Sequence, residues 1–198
     1  MFTGIIQSIG TVHPVSEKGE KKIYTVNPHL KKRWKVGESV NISGVCSTIM
    51  SKKGTQFFVE YMPHTLQVTT ISHWKDWGKV NIEPSLKVGN ELSGHFVLGH
   101  IDGIAKITRI QKTKNQYAIT CAIPKPFLPY MALKGSIALD GVSLTIGSMK
   151  KNSVTVFLTP FTYHHTTFQY NKIGDALNVE ADMIAKHIHR QISHRICK

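Results

Sequence analysis

Short runs of alternating apolar and polar residues fill most of the chain. Ser39-Val40-Asn41-Ile42 and Gln56-Phe57-Phe58-Val59-Glu60 are two of them. Tyr117 to Ile123, Ser136-Ile137-Ala138-Leu139 and Ser153 to Leu158 continue the pattern. A period of two sends successive side chains to opposite faces, so each run predicts a half-buried strand. Lys53-Gly54 and Lys151-Asn152 mark turns between runs. Strands recurring every 8 to 15 residues between such turns predict a small barrel in each half of the chain. Thr65 to Thr70 and Thr162 to Thr167 each follow a proline and predict short helical turns. The period then changes. Ile184, Ile188, Ile192 and Ile196 recur every four residues, one apolar stripe of a helix with a basic outer face of Lys186, His187, His189, Arg190, His194 and Arg195. A lone helix of this length is marginal, so the stripe must pack on its own barrel or on copies of itself, and both readings stay open.

The two halves repeat one another. Ser43-Gly44-Val45-Cys46-Ser47-Thr48-Ile49 realigns with Asp140-Gly141-Val142-Ser143-Leu144-Thr145-Ile146 at an offset of 97. From Ser39 to Glu83, 15 of 45 positions equal their partners, among them Asn81 with Asn178 and Glu83 with Glu180. Chance would match about one position in sixteen. Gly4-Ile5-Ile6 realigns with Gly99-His100-Ile101 at an offset of 95. The expected division is a first barrel over 1–95, a second over 96–182 and a helix over 183–198. The short link from Pro84 to Ser93 predicts barrels held close together.

Composition narrows the class. No apolar run reaches 18 residues, so no membrane span is expected, and the N-terminus lacks the pattern of a secretion signal. Cys46, Cys121 and Cys197 form no CxxC motif and no even set, which suits a reducing cytoplasm. The formal charge of +13 is spread over short clusters without interleaved aromatics, so a solvated surface is expected rather than a nucleic-acid face. His164-His165 and His187-x-His189 lack nearby Cys or carboxylate partners, and no metal site is expected.

Four segments carry a family resemblance: Met1-Phe2-Thr3-Gly4-Ile5-Ile6, the stretch Gly94 to Gly103, Asp140 to Thr145, and Asn178-Val179-Glu180. Together they resemble riboflavin synthase of the alpha-chain type, over the whole chain and in order. The resemblance implies an all-β fold of two similar tandem six-stranded Greek-key barrels plus a C-terminal α-helix. It implies a homotrimer in which each barrel binds one 6,7-dimethyl-8-ribityllumazine, with sites formed between neighbouring subunits. Two lumazines exchange a four-carbon unit to give riboflavin and 5-amino-6-ribitylaminouracil, with no cofactor. Association with a lumazine synthase shell is left open.

The chemistry needs a proton removed from one C7-methyl, a nucleophile added at C7 of the other ring, and a hold on the developing charge. The resemblance implies catalytic roles for Ser39, Cys46, His100, Asp140, Ser143 and Thr145. A cysteine nucleophile is favoured where its pKa is lowered, and an ordinary imidazole moves protons near neutral pH. Substrate contacts are expected from Phe2, stacked on the ring, and from Gly4, Ile5 and Ile6. The first barrel adds Cys46, Ser47, Thr48, Glu60, Tyr61, Met62, Pro63, His64 and Thr65. The second adds Gly99, His100, Ile101, Lys134, Ser143, Leu144, Thr145, Leu158, Thr159, Pro160, Phe161, Thr162 and Tyr163. His64 and Phe161 stand where relatives usually carry Glu. His95, with no counterpart in the first copy, is read as structural. The copies diverge where Cys46 faces Ser143, Ser43 faces Asp140 and Ile5 faces His100, as one donor and one acceptor site would require. The competing readings are a lumazine or flavin carrier without turnover and a basic nucleic-acid-binding barrel.

Overall fold

The computed structural model describes residues 1–18 and 21–196; Cys197 and the Ile196 side chain lie outside the described residues and side chains. The first barrel contains β1 (Ser8–Lys18), β2 (Lys21–Asn27), β3 (Ser39–Ile42), β4 (Val45–Lys53), β5 (Gln56–Tyr61) and β6 (Gly78–Pro84), with helix α1 (Pro63–Val68) between the last two. The second contains β7 (Gly103–Lys112), β8 (Tyr117–Ala122), β9 (Ser136–Leu139), β10 (Val142–Lys150), β11 (Ser153–Leu158) and β12 (Ala176–Ala181), with α2 (Pro160–His164) before β12. Each set closes in the same order, β1-β2-β5-β4-β3-β6 and β7-β8-β11-β10-β9-β12, all antiparallel. The jumps from β2 to β3 and from β5 to β6 make both Greek keys. Closure leaves neither barrel an open edge. Even the β-bulge repeats, between Ile49 and Ser51 and between Ile146 and Ser148.

The alternating pattern builds the two cores. Val40, Ile42, Ile49, Phe57, Val59 and Ile82 fill the first barrel; Ile137, Leu139, Ile146, Val154, Val156 and Val179 fill the second. Each such side chain contributes about 1.5–3 kcal/mol by leaving water.

The barrels meet across a pseudo-twofold seam. Ser43-Gly44 and Asp140-Gly141 are two-residue hairpin turns, all four residues with positive φ, as this turn class demands. The turns stand face to face: a Cβ on Gly141 would lie 2.7 Å from the Gly44 nitrogen. Two repeated asparagines stitch them together. Asn81 Nδ2 donates to the Asp140 carbonyl at 2.9 Å, and Asn178 Nδ2 donates to the Ser43 carbonyl at 2.8 Å. Their Oδ1 atoms accept from Thr167 N and Thr70 N, each at 2.8 Å. The closeness expected from the short linker is therefore enforced by buried, fully directed hydrogen bonds.

Helix α3 (Met183–Ile196) starts from an Asp182 cap, whose Oδ1 accepts from Ile184 N at 2.9 Å. Lys186 Nζ lies 2.7 Å from the Asp102 carboxylate and pins the helix to the second barrel. Its apolar stripe does not fold back: Ile184, Ile188 and Ile192 are 53%, 54% and 53% exposed. No helix among the described residues is long and apolar enough to cross a membrane.

Candidate active site

Several of the candidate residues lie on the outer faces of the barrels. Along β4, Val45, Ser47 and Ile49 point inward, which turns Cys46 and Thr48 outward. Cross-strand pairing brings Ser39 opposite Thr48 and Asn41 opposite Cys46. The same register in the second barrel sets Ser136 opposite Thr145 and Ala138 opposite Ser143. Thus Ser39, Cys46 and Thr48 share one surface, and Ser143 and Thr145 share its counterpart.

Each surface is walled by a strap from the segment preceding the other barrel. Residues 97–101 lead into the second barrel yet lie against the first, where Cys46 N donates to the Gly99 carbonyl at 3.0 Å. Residues 2–6 lead into the first barrel yet lie against the second, where Ser143 N donates to the Gly4 carbonyl at 2.8 Å. Ile101 packs on the first core and Ile6 on the second. Buried carboxylates anchor both straps. Glu83 accepts from Thr3 N at 2.7 Å and Gly4 N at 3.0 Å; Glu180 accepts from Leu98 N at 2.7 Å and Gly99 N at 2.9 Å. Burial raises the pKa of both carboxyls, against the pull of those N–H groups.

The first-barrel surface forms a cavity of about 350 Å³ lined by Val45, Cys46, His64, Thr65, Val68, Thr69, Gly99, His100 and Ile101. It unites Cys46 and His100, which stand 54 positions apart in sequence (100 − 46). Pro63 opens α1 and Met62 precedes it; the lining begins one residue later, at His64. Glu60 lies 3.6 Å from Lys21 in an ion pair on the barrel wall. In the second barrel, Thr159 caps α2, accepting from Thr162 N at 3.2 Å just after Pro160 opens the helix. Phe161 is exposed and stacks on His165 with ring centroids 4.0 Å apart. Lys134 is an exposed residue with φ of 66°, and its N–H donates to the Ile146 carbonyl.

Other expected contacts fall elsewhere. Ser47 and Tyr61 point into the first barrel and share a 2.7 Å hydrogen bond; Leu144 and Leu158 occupy the matching core positions. Tyr163 is buried, stacked on Tyr117 at 3.8 Å. Phe2, expected to stack on a ring, has no exposed face. It is sealed where the straps cross, exchanging two backbone bonds with Val97 and packing on Ala138 and Cys46. Ile5 is partly exposed beside a separate hollow of about 440 Å³ that includes Thr3 and Glu83.

The lumazine binding domain family matches the chain twice, over residues 3–85 and 98–182. The riboflavin synthase of Brucella abortus (strain 2308) is 37% identical over 196 residues, covering 96% of this chain and 97% of that protein. The riboflavin synthase of Bacillus subtilis (strain 168) is 36% identical over 191 residues, covering 96% and 89%. The chain belongs to the riboflavin synthase family. It is an enzyme of that family, made of two lumazine-binding domains. The same fold occurs in LumP complexed with riboflavin, with a TM-score of 0.85, 21% identity and coverage of 91% of this chain and 99% of that one.

Within this riboflavin synthase fold, Asp140 sits apart from the Cys46 cavity. It borders a seam cleft of about 240 Å³ with Ser43, Thr70, Thr167 and Asp175, and its Oδ1 accepts from Asn178 N at 2.8 Å. Burial pushes its carboxyl up to about 7, opposed by the Asn178 bond and reinforced by Asp175. In the unfolded chain the group returns to its ordinary 3.8. Stability from this group is therefore complete below pH about 4 and lost as pH rises towards about 7, while the unfolded chain ionises first. Asp140→Asn keeps an acceptor for Asn178 N–H. The variant is expected to flatten the fall in Tm across that window, followed by thermal melts at stepped pH; an unchanged slope would refute this.

Sequence reasoning overlooked two parts of the site. Glu83 and Glu180 were visible as a repeated Asn-x-Glu, a signal for a shared structural task. His95 was set aside because the first copy has no equivalent. Its Nδ1 lies 2.7 Å from Ser143 Oγ.

Proposed function

We propose that the protein catalyses the dismutation of two 6,7-dimethyl-8-ribityllumazine molecules to riboflavin and 5-amino-6-ribitylaminouracil. The observation that carries this reading is a pair of equivalent outer-face sites with unequal chemistry. One offers Cys46, His100, Ser39 and Thr48; the other offers Ser143 and Thr145. Two copies of one substrate need two like sites, and a donor and an acceptor need different ones. Cys46 is the candidate nucleophile or its activator, and His100 the candidate proton carrier in the same cavity. Asp140 acts through the seam, setting how the two sites face. The reaction draws on no redox or metal cofactor.

The exposed isoleucine stripe of α3 supports assembly into a homotrimer, with complete sites formed between the first barrel of one subunit and the second barrel of its neighbour. Cys46 and Cys121 are free thiols, in keeping with work in the cytoplasm.

The test is incubation of purified protein with 6,7-dimethyl-8-ribityllumazine. The expected result is riboflavin and the diaminouracil product in equal amounts. Stable binding without product would favour the second reading, a lumazine or flavin carrier, for which the shared fold with LumP is the relevant observation.

A further inference from the structure

We infer that His95 is a positioning residue for Ser143, fixing that hydroxyl as a hydrogen-bond donor towards substrate in the second-barrel site. This rests on the lumazine-dismutation reading and extends it to how the two sites are told apart.

The imidazole is held from several sides. His95 N donates to the Thr3 carbonyl at 3.1 Å, tying it to the strap that walls the second barrel. At Gly94 an added Cβ would collide with the Thr3 carbonyl oxygen and come within 3.0 Å of Ser143 Oγ, so the backbone before His95 is wedged in place. The ring is 9% exposed, its Nδ1 is 2.7 Å from Ser143 Oγ, and its Nε2 is buried without a partner. Burial lowers the His95 pKa and so favours the neutral ring, against the opposing pull of Asp182.

A neutral imidazole carries one proton. On Nε2 it would be a buried N–H with no acceptor, a rare and costly arrangement; a bare lone pair there costs less. The proton therefore belongs on Nδ1, which donates to Ser143 Oγ. An oxygen already accepting from His95 keeps its own O–H free to point elsewhere. The free direction is the outer face of β10, where Ser143 stands as Cys46 stands beside the first-barrel cavity. Ser143 thus becomes a pre-aimed donor, suited to a carbonyl or ring nitrogen that gains negative charge during reaction. It is not poised as a nucleophile, because its neighbour gives a proton instead of taking one. The first site shows no such device: Cys46 is a free cysteine, and among the described residues its thiol has no hydrogen-bond partner. The unequal pair then divides into a soft, unconstrained thiol and a hydroxyl with a fixed direction.

A double-mutant cycle on the full-length protein tests this. His95→Leu and Ser143→Ala are each expected to lower kcat by about 10- to 100-fold, the range for loss of one oriented donor, with KM changed little. In the Ser143→Ala background, His95→Leu should add almost nothing. His95→Asn, whose side-chain amide reaches the place of Nδ1 and can donate there, should recover most of the activity. Wild-type kcat in His95→Leu, or losses that multiply in the double variant, would overturn the inference. So would equal losses for Asn and Leu. Should His95→Leu fail to fold, the Asn variant against Ser143→Ala decides the matter. If wild type binds lumazine but makes no riboflavin, the dismutation reading fails instead. The same cycle is then read in lumazine affinity by fluorescence, where multiplying losses would overturn the His95 role.

Discussion

Replacing Gly99 by alanine is expected to cost about 100-fold in riboflavin formation and to lower Tm by roughly 5–10 °C. Gly99 has φ of +80°, and a Cβ there would lie 2.6 Å from both Cβ and N of Cys46. The left-handed backbone alone costs an L-residue about 1–2 kcal/mol. The collision adds to this, and it is with strand backbone rather than a flexible side-chain tip. The strap must lift from β4, breaking the Cys46 N–H to Gly99 carbonyl bond and moving His100 off the cavity. Gly89→Ala supplies the control. Its φ is +90°, but nothing lies within 4 Å of the added carbon, so strain acts there without a clash. Comparable losses at the two positions would mean that the strap contact has no special role. Gly4, whose added Cβ would lie 2.5 Å from Ser143 Cβ, should behave like Gly99, but at the other site.

The double variant Ile188→Asp, Ile192→Asp is expected to be monomeric at micromolar concentration and to lose at least 10-fold in turnover. Both isoleucines are more than half exposed in the single chain, and neither contributes to a core. Full burial of each in an assembly is worth about 1.5–3 kcal/mol, and a carboxylate in its place opposes association. Every candidate catalytic side chain remains, so activity should fall with the oligomer. Light scattering and the riboflavin assay, run on the same sample, read both. A monomer that turns over normally would place the whole site within one subunit.

Much of this architecture is legible in the sequence because its forces are local. Val45, Ser47 and Ile49 alternate with Cys46 and Thr48, so the strand and its outward face follow from the period of two. That period also excludes the Ser47 and Tyr61 side chains from the cavity, which motif proximity alone obscures. The proline before each Thr-rich stretch marks α1 and α2. The straps are different. Their placement depends on pairing between Phe2 and Val97 and on carboxylates roughly 80 residues away in sequence, such as Glu83 for Thr3. Nothing local distinguishes a strap lying on its own barrel from one lying on its neighbour. Phe2 went astray for the same reason: only the crossing of the straps buries it. His95 escaped because comparison of the copies is blind to a residue present in only one.

The exchange of straps bears on ancestry. A single-barrel molecule with its own leading segment would leave its pocket unwalled unless it lent that segment to a second, identical molecule. Such a pair must have two identical pockets, so any change suited to one role appears in the other as well. Joining the two through residues 85–93 turns borrowed segments into parts of one chain, always present at high local concentration. It also frees the copies to mutate separately. Cys46 against Ser143, and His100 against Ile5, are differences that a pair of identical molecules could never have acquired.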